Sequence, residues 1–250
     1  MNRIHLESVL STNSYLRELV QKDPSLSTYT TVTADEQTQG RGQKGNSWES
    51  EPKKNMTLSI LLRPDLQTNP CSKNYDLSIL VALAVRDMVE KRLDHQEVKV
   101  KWPNDILVGD RKIAGILIEN EFEGSRLVYS IAGIGVNINQ ESFWHYPLPA
   151  TSLRLESGRE QDVNRFTDEL AMTIRSMADR LPQSVEVYRA QYHRHLYRLN
   201  EPGRLYSLPD GTRFRGTLTH VEPDGRLVVK DDLSGELRSY TFKEIRFEQE

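Results

Sequence analysis

Cysteine is almost absent from this sequence of 250 residues, which holds only Cys71. A single thiol excludes an internal disulfide framework and any metal site built from several cysteines. Because Cys71 follows Pro70 and precedes Ser72, we expect a surface or half-buried thiol. The six histidines show neither HxxxH nor HExxH spacing, so no protein-borne transition-metal site is predicted.

Strong charge and long apolar runs are missing as well. The formal net charge is −3, so no overall basic field draws the protein to nucleic acid or to a membrane. No apolar core follows residues 1–5 as in a signal peptide, and no run is long enough to span a bilayer. GxSxG and P-loop motifs are absent. A cytoplasmic enzyme or binding protein is therefore expected.

What is present is a mixture of strand and helix patterns. Strands are predicted at residues 4–10, 29–34, 56–62, 98–102, 106–108, 113–118 and 127–136, with helices from the capping residues 11–14 to 23 and at 76–93, 165–181 and 185–199. This order favours an α+β fold, a mixed sheet with helices on one face. Residues 1–200 would form the main domain. After Glu201-Pro202-Gly203, short strands within 213–221, 227–230 and 237–247 predict a small SH3-like β-barrel over 201–250.

A glycine-rich basic segment, residues 38–48, is the first candidate site. Gly40, Gly42 and Gly45 fit GxGxxG spacing, but a dinucleotide fold needs a helix next, whereas the following residues 56–62 predict a strand. The Rossmann interpretation is therefore poor. Exposed backbone N–H groups and Arg41 still suit an anion.

Polar residues close a second predicted strand at residues 101–105, KWPND. A purely structural explanation exists: Lys101 solvated, Trp102 in the core and the rest a turn. The functional alternative is a site at the strand end, with Lys112 returning near Lys101 across a hairpin.

Two further segments have the same ambiguity. Residues 11–13, Ser-Thr-Asn, cap a helix and also offer polar groups to a ligand. The glycines of residues 133–139 permit close approach inside a strand, where Asn137 and Asn139 would share one face, or they mark a bulge.

In their order along the chain, these segments resemble biotin protein ligases. The resemblance runs from Ser11 to the end and includes Arg111-Lys112-Ile113-Ala114-Gly115, the segment 150–153 and the C-terminal β module. It implies a class II synthetase-like catalytic domain of the biotin–lipoate ligase type, in a monofunctional form without an N-terminal DNA-binding domain.

The resemblance also implies a two-step reaction. Biotin and ATP would form biotinyl-5′-adenylate and pyrophosphate, and a lysine of a biotin carboxyl carrier domain would then displace AMP. Because a carboxylate must approach a polyanion, clustered cations and Mg²⁺ are expected. Arg41 would meet the α-phosphate, Lys101 the biotin carboxyl group and Lys112 the ATP phosphates, while Asp105 would orient or deprotonate the acceptor lysine.

The same resemblance assigns the binding residues. Biotin contacts are expected from Ser11, Thr12, Asn13, Gln37, Gly40, Arg41, Lys101 and Gly115. ATP or adenylate contacts are expected from Arg41, Gly42, Gln43, Trp48, Asn104, Lys112 and Asn137. No protein ligand to a metal is assigned.

One position departs from the family pattern. Relatives commonly have GRGR, whereas this chain has Gln43 in place of the second arginine. That arginine helps to order the loop over the adenylate, so faster adenylate escape is expected here, unless Lys44 compensates.

Two other functions stay open, and a third is not expected. A lipoate or octanoate ligase would share the fold, and a biotin- or nucleotide-binding module could have lost catalysis. A transcriptional repressor is not expected, because the resemblance starts at Ser11 and the net charge is negative. A homodimer is compatible with the sequence.

Overall fold

A computed structural model describes residues 2–63, 75–94, 96–143 and 149–248 of the chain. Cys71 lies outside these residues. The elements are β1 (Arg3–Val9), α1 (Thr12–Lys22), β2 (Thr31–Gln37), β3 (Met56–Leu62), α2 (Tyr75–Glu90), β4 (Val98–Lys101), β5 (Asp105–Val108), β6 (Arg111–Glu123), β7 (Arg126–Val136), α3 (Leu153–Ser157), α4 (Val163–Asp179), α5 (Leu181–Arg194), β8 (Arg204–Ser207), β9 (Arg213–Val221), β10 (Leu227–Asp231), β11 (Leu237–Tyr240) and β12 (Arg246–Phe247).

Among the residues that the structure describes, the main sheet has seven strands in the order β1-β2-β3-β7-β6-β5-β4. β1 pairs with β2 in parallel and the other neighbours are antiparallel, so the expected mixed sheet with helices is confirmed. The outer edge of β4 is covered, because Val100 N–H donates to the carbonyl of His195 and Tyr197 N–H donates to the carbonyl of Val100. Backbone groups that an edge strand would expose are thus satisfied.

Helices occupy both faces of this sheet, which corrects the expectation of one face. Side chains of a strand alternate between faces. In β3, Leu58 and Ile60 face the core formed with α2 and α4, whereas Leu61 packs with Leu16 and Val20 of α1. The apolar run of β3 is therefore buried on both sides, and α1 packs on the face that also carries the site.

The C-terminal strands form a second, antiparallel sheet in the order β11-β10-β9-β8-β12. The expected small β module is thus confirmed. Its Leu218 and Val229 belong to the same buried cluster as Leu80 of α2. His193 of α5 also contacts the backbone of Val221, with 2.9 Å between Nε2 and the carbonyl oxygen. The division at residue 201 stays a prediction.

Several boundaries differ from the expected ones. The last main-domain helix ends at Arg194, not at 199, because residues 195–197 pair with β4 and because Arg198 and Asn200 have left-handed φ values of 61° and 57°. α3 and β8 were not predicted. β7 ends at Val136, so Asn137 and Asn139 follow the strand instead of sharing a face of it. Of the helices described, none has the length and apolar character that a membrane span requires.

Candidate functional site

A cavity of about 790 Å³ opens on the α1 face of the main sheet. It is enclosed by the start of α1, the glycine loop, residues 101–105, the glycines of β6 and β7, and residues 242–248. Among the predicted site residues, those that line it are Ser11, Thr12, Asn13, Gln37, Arg41, Gly42, Gln43, Trp48, Lys101, Asn104, Asp105, Lys112 and Gly115. Four segments distant in sequence are therefore brought together, whereas Gly40 and Asn137 lie outside the wall.

One end of the cavity is a buried polar network at the start of α1. Gln37 Oε1 accepts from the backbone N–H and the hydroxyl of Thr12, at 2.8 and 3.1 Å. Ser59 Oγ donates to Thr12 Oγ1 at 2.7 Å and lies 2.5 Å from Asn13 Oδ1. Asn13 rests on Gly133, where any Cβ would overlap its amide group. Buried polar groups of this kind hold a polar ligand in one orientation.

The glycine loop is a short hairpin that connects β2 to β3. Gly42 N–H donates to the carbonyl of Asn46 at 2.7 Å, and Trp48 N–H donates to the carbonyl of Gly40 at 2.9 Å. A Cβ at Gly40 would overlap the Trp48 carbonyl oxygen, so glycine is required at this neck. The strand that follows excludes a Rossmann turn, as the sequence indicated.

Trp48 lies on a flat surface formed by two glycines. Gly115 of β6 and Gly135 of β7 are paired across the sheet, and a Cβ at Gly135 would overlap the indole ring. Trp48 is 8% exposed, and its Nε1 is buried without a hydrogen-bond partner in the part of the chain that is described. The strand glycines are thus required for a close approach.

Cations converge opposite the loop. Lys112 Nζ lies 2.6 Å from Asp105 Oδ1 and 5.6 Å from the centre of the Trp48 ring. Burial lowers the pKa of Lys101, and neighbouring Lys112 lowers it further, while Asp105 opposes this shift. Lys101 Nζ also lies 5.6 Å from the Phe247 ring centre. A half-desolvated ammonium group beside a second one is suited to an anionic ligand.

In the KWPND segment, residues 101–105, Trp102 and Asn104 make structural contacts, and Lys101 lines the cavity. Trp102 is 4% exposed, and its Nε1–H donates to the carbonyl of Gly225 at 2.9 Å, so it anchors the C-terminal module. Asn104 Nδ2 donates to the carbonyl of Ile116 at 2.6 Å and fixes the turn on β6. The structural residues therefore position Lys101 at the cavity.

Asn137 sits behind the cavity wall. It is buried, its Nδ2 donates to the carbonyl of Thr151 at 2.9 Å, and its Oδ1 has no partner among the described residues. A buried acceptor without a partner is costly unless a ligand or water satisfies it.

Sequence reasoning missed two contributions to the site. Ser59 could have been found, because a serine interrupts the apolar run of β3. Phe242, Ile245, Arg246, Phe247 and Glu248 line the cavity from the C-terminal module. No local pattern marks these residues, since their position depends on how the C-terminal module docks.

Within the described ranges, no group of three or more His, Cys, Asp or Glu residues could hold a metal ion. A divalent cation at this site would therefore take most of its oxygen ligands from a bound substrate and water, as Mg²⁺ commonly does.

The sequence and the fold are both similar to those of known proteins. The model of the biotin/lipoate A/B protein ligase family matches residues 6–137. The chain is 37% identical over 163 residues to the bifunctional ligase/repressor BirA of Bacillus spizizenii, covering 64% of this chain and 48% of that protein. It is 30% identical over 206 residues to the biotin–[acetyl-CoA-carboxylase] ligase of Mycobacterium tuberculosis, covering 79% and 72%. The chain thus spans about half the length of the Bacillus relative.

The fold has a counterpart among solved structures. Biotin protein ligase from Aquifex aeolicus in complex with biotin and ATP superposes with a TM-score of 0.79, at 23% identity and with 99% of each chain covered. This similarity extends over both sheets.

Proposed function

We propose, from the premise that this chain belongs to the biotin/lipoate A/B protein ligase family, that it activates biotin with ATP and transfers it to a lysine of a carrier protein. One observation carries the proposal. A single cavity joins the buried polar end at Thr12 and Gln37 to the cations Lys101, Lys112 and Arg41. A ligand with an uncharged polar ring and a distant carboxylate matches this division.

Biotin lies with its ureido ring at the polar end. Thr12 and Gln37 exchange hydrogen bonds with it, and Ser11 and Asn13 complete the contacts. Gly115 lets the chain pass close to the sheet, and Gly40 shapes the neck of the loop above it. The carboxylate then reaches Lys101.

The first step forms the adenylate. A biotin carboxylate oxygen attacks the α-phosphorus of ATP, a new P–O bond forms, and the bond to pyrophosphate breaks with its electron pair on the leaving group. Lys101 and Lys112 hold the negative charge that shifts between these oxygens, and Arg41 binds the α-phosphate. Mg²⁺ bound to the phosphates would supply further charge compensation.

The adenylate is held by the loop and the glycine surface. Trp48 packs by the adenine ring. Once the wall in front of Asn137 opens, its Oδ1, which has no partner among the described residues, accepts from the adenine amino group. Gly42, Gln43 and Asn104 complete this side of the pocket.

The second step transfers biotin to protein. The neutral amine of a lysine on a biotin carboxyl carrier domain attacks the acyl carbon, an amide forms, and AMP leaves with the electron pair of the broken C–O bond. Asp105 accepts the lysine proton once Lys112 has turned to the phosphates. We place the reaction in the cytoplasm, where ATP and carboxylases are found. We propose no nucleic acid or membrane partner. A homodimer is part of the proposal.

Biotin-dependent exchange of radiolabelled pyrophosphate into ATP tests the first step. We expect exchange only with biotin and Mg²⁺ present, and a loss on the order of 100-fold or more in Lys101→Met. Folded protein that binds biotin without exchange would favour a binding module instead. Calorimetric titration with biotin and with lipoate distinguishes a biotin ligase from a lipoate ligase, because tighter binding of lipoate would contradict biotin as the substrate.

A further inference from the structure

One carboxylate next to the cavity holds both arginines of this corner. Glu119 of β6 pairs through Oε1 with Arg17 of α1 at 2.8 Å and through Oε2 with Arg41 of the glycine loop at 3.0 Å. Oε2 also accepts from Asn13 Nδ2 at 2.8 Å. The side chain of Glu119 is 19% exposed, whereas those of Arg17 and Arg41 are 34% and 39% exposed.

From this geometry we propose that Glu119 is a positioning residue that holds Arg41 until phosphate arrives. The inference rests on the proposed function, in which Arg41 binds the α-phosphate. Before a ligand binds, the Glu119 carboxylate pairs with the Arg41 guanidinium and keeps the glycine loop against β6. A half-exposed ion pair of this kind is weak, so a polyphosphate takes Arg41 from it.

Arg17 makes this exchange favourable. If Arg41 alone neutralised Glu119, its departure would leave a bare carboxylate beside an incoming polyanion. Because Arg17 stays on Oε1, the carboxylate remains paired after Arg41 has moved. Arg17 therefore has a role in this exchange: it keeps Glu119 paired when Arg41 leaves. If the Glu119–Arg41 pair were only structural, this second arginine would not be required.

The contact also links the two ends of the cavity. Asn13 donates to the Glu119 oxygen that Arg41 uses and lies within hydrogen-bond distance of Ser59, which in turn donates to Thr12. A ligand that rearranges the polar end thus acts on the carboxylate that holds the loop.

Opposite effects of the two charge removals test the proposal. Titration calorimetry with inorganic pyrophosphate and Mg²⁺ measures anion affinity without turnover, and exchange kinetics give the KM for ATP. In Glu119→Gln we expect Kd and KM to fall about two- to fivefold, because Arg41 is no longer held. In Arg17→Gln we expect both to rise by a similar factor, while Kd for biotin stays unchanged.

A double-mutant comparison separates this role from general electrostatics. In an Arg41→Gln background, Glu119→Gln should have no effect on pyrophosphate affinity, because Arg41, the arginine that Glu119 releases to phosphate, is no longer present. Glu121→Gln is the matched control, since it removes the same charge two residues along β6, while both arginines pair with Glu119. The proposal would be overturned if all variants bound pyrophosphate with equal affinity or if none bound it. It would also be overturned if Glu119→Gln had the same effect with and without Arg41.

The readouts also keep the two proposals apart. Normal exchange by the native protein with no difference between the variants contradicts only the role of Glu119. If folded native protein shows no exchange, but Glu119→Gln and Arg17→Gln still shift pyrophosphate affinity in opposite directions, the proposed ligase activity is contradicted and the role of Glu119 is retained.

Discussion

Lys101 carries the clearest pH signature of the site. Burial lowers its pKa below the ordinary lysine value of 10.5, so the folded protein gives up this proton more easily than the unfolded chain does. Stability therefore rises with pH between the folded and the unfolded pKa. Activity that needs the ammonium charge has the opposite dependence and is lost as pH rises through the folded pKa.

We predict that this loss forms the alkaline limb of the rate of adenylate formation. Lys101→Arg should remove the limb, because arginine stays charged, although the rate at neutral pH should fall. Stopped-flow rates of adenylate formation as a function of pH measure it. Lys99→Arg, on the same strand and paired with Glu97, is the control and should retain the limb. A limb that survives in Lys101→Arg would show that another group titrates.

Gln43 supplies the second residue-level prediction. It lines the cavity, and its Oε1 is buried without a partner in the described part of the chain. Gln43→Arg should slow release of the adenylate by about three- to tenfold, because a guanidinium forms charge-assisted hydrogen bonds with phosphate that an amide cannot. Release is followed by trapping with a carrier domain after gel filtration, with Gln39→Arg on the exposed part of the loop as control. Equal release from native and variant protein would contradict it.

Single residues were predictable where chemistry demands a side-chain type at a motif position. Lys101, Lys112 and Arg41 follow this rule, and the structure brings them to one cavity. Glu119 was not predictable, because a glutamate on a strand is ordinarily a solvated charge, and its two arginines come from segments far away in sequence. Its role depends on tertiary contacts that no local pattern encodes.

At the scale of elements, the glycine surface makes a sharp prediction. Gly135→Ala places a methyl group into the Trp48 indole, so the loop cannot seat on β6 and β7. We expect kcat/KM for exchange to fall on the order of 10- to 100-fold, as for a misplaced binding group, and the loop to be cleaved faster by trypsin. Adding Gly135→Ala to Trp48→Ala should then cost little more, since the clash is gone. A full additional loss in the double variant would place the effect elsewhere.

Elements with strong periodicity were predicted closely, and the exceptions have identifiable reasons. β3 has the expected bounds, and α2 begins within a residue of its expected start. The helix predicted at 185–199 is too long at its C-terminal end, because the chain turns there to cover β4. α3 was not predicted, because it is only five residues long. The position of α1 on its own face follows from which side of β3 it meets, which periodicity within α1 does not specify.

At the scale of the whole molecule, the two sheets share one core. Leu218 of β9 is fully buried in the cluster that contains α2, and its backbone carbonyl accepts from Asn200 N–H at 2.8 Å. Leu218→Ala should reduce the free energy of unfolding by about 2–5 kcal/mol. Because the core is continuous, urea transitions followed by circular dichroism and by tryptophan fluorescence should shift together.

The control for this prediction is Leu233→Ala, because Leu233 is 98% exposed. It should change the free energy of unfolding by less than about 0.5 kcal/mol. A Leu218→Ala protein whose fluorescence and circular dichroism transitions separate would show that the C-terminal sheet unfolds independently.

The pairing of β3 with β7 at the centre of the sheet also determines when the molecule can fold. Met56 is opposite Val136, about 80 positions later, so the central ladder closes only after a long intervening segment has been ordered. Loop-closure entropy must be overcome before these contacts contribute, which places refolding in the slow range of mixed topologies. During synthesis, β3 has no partner on its β7 side until the chain has emerged beyond Val136, and its seven apolar-rich residues stay open to chaperones for that interval.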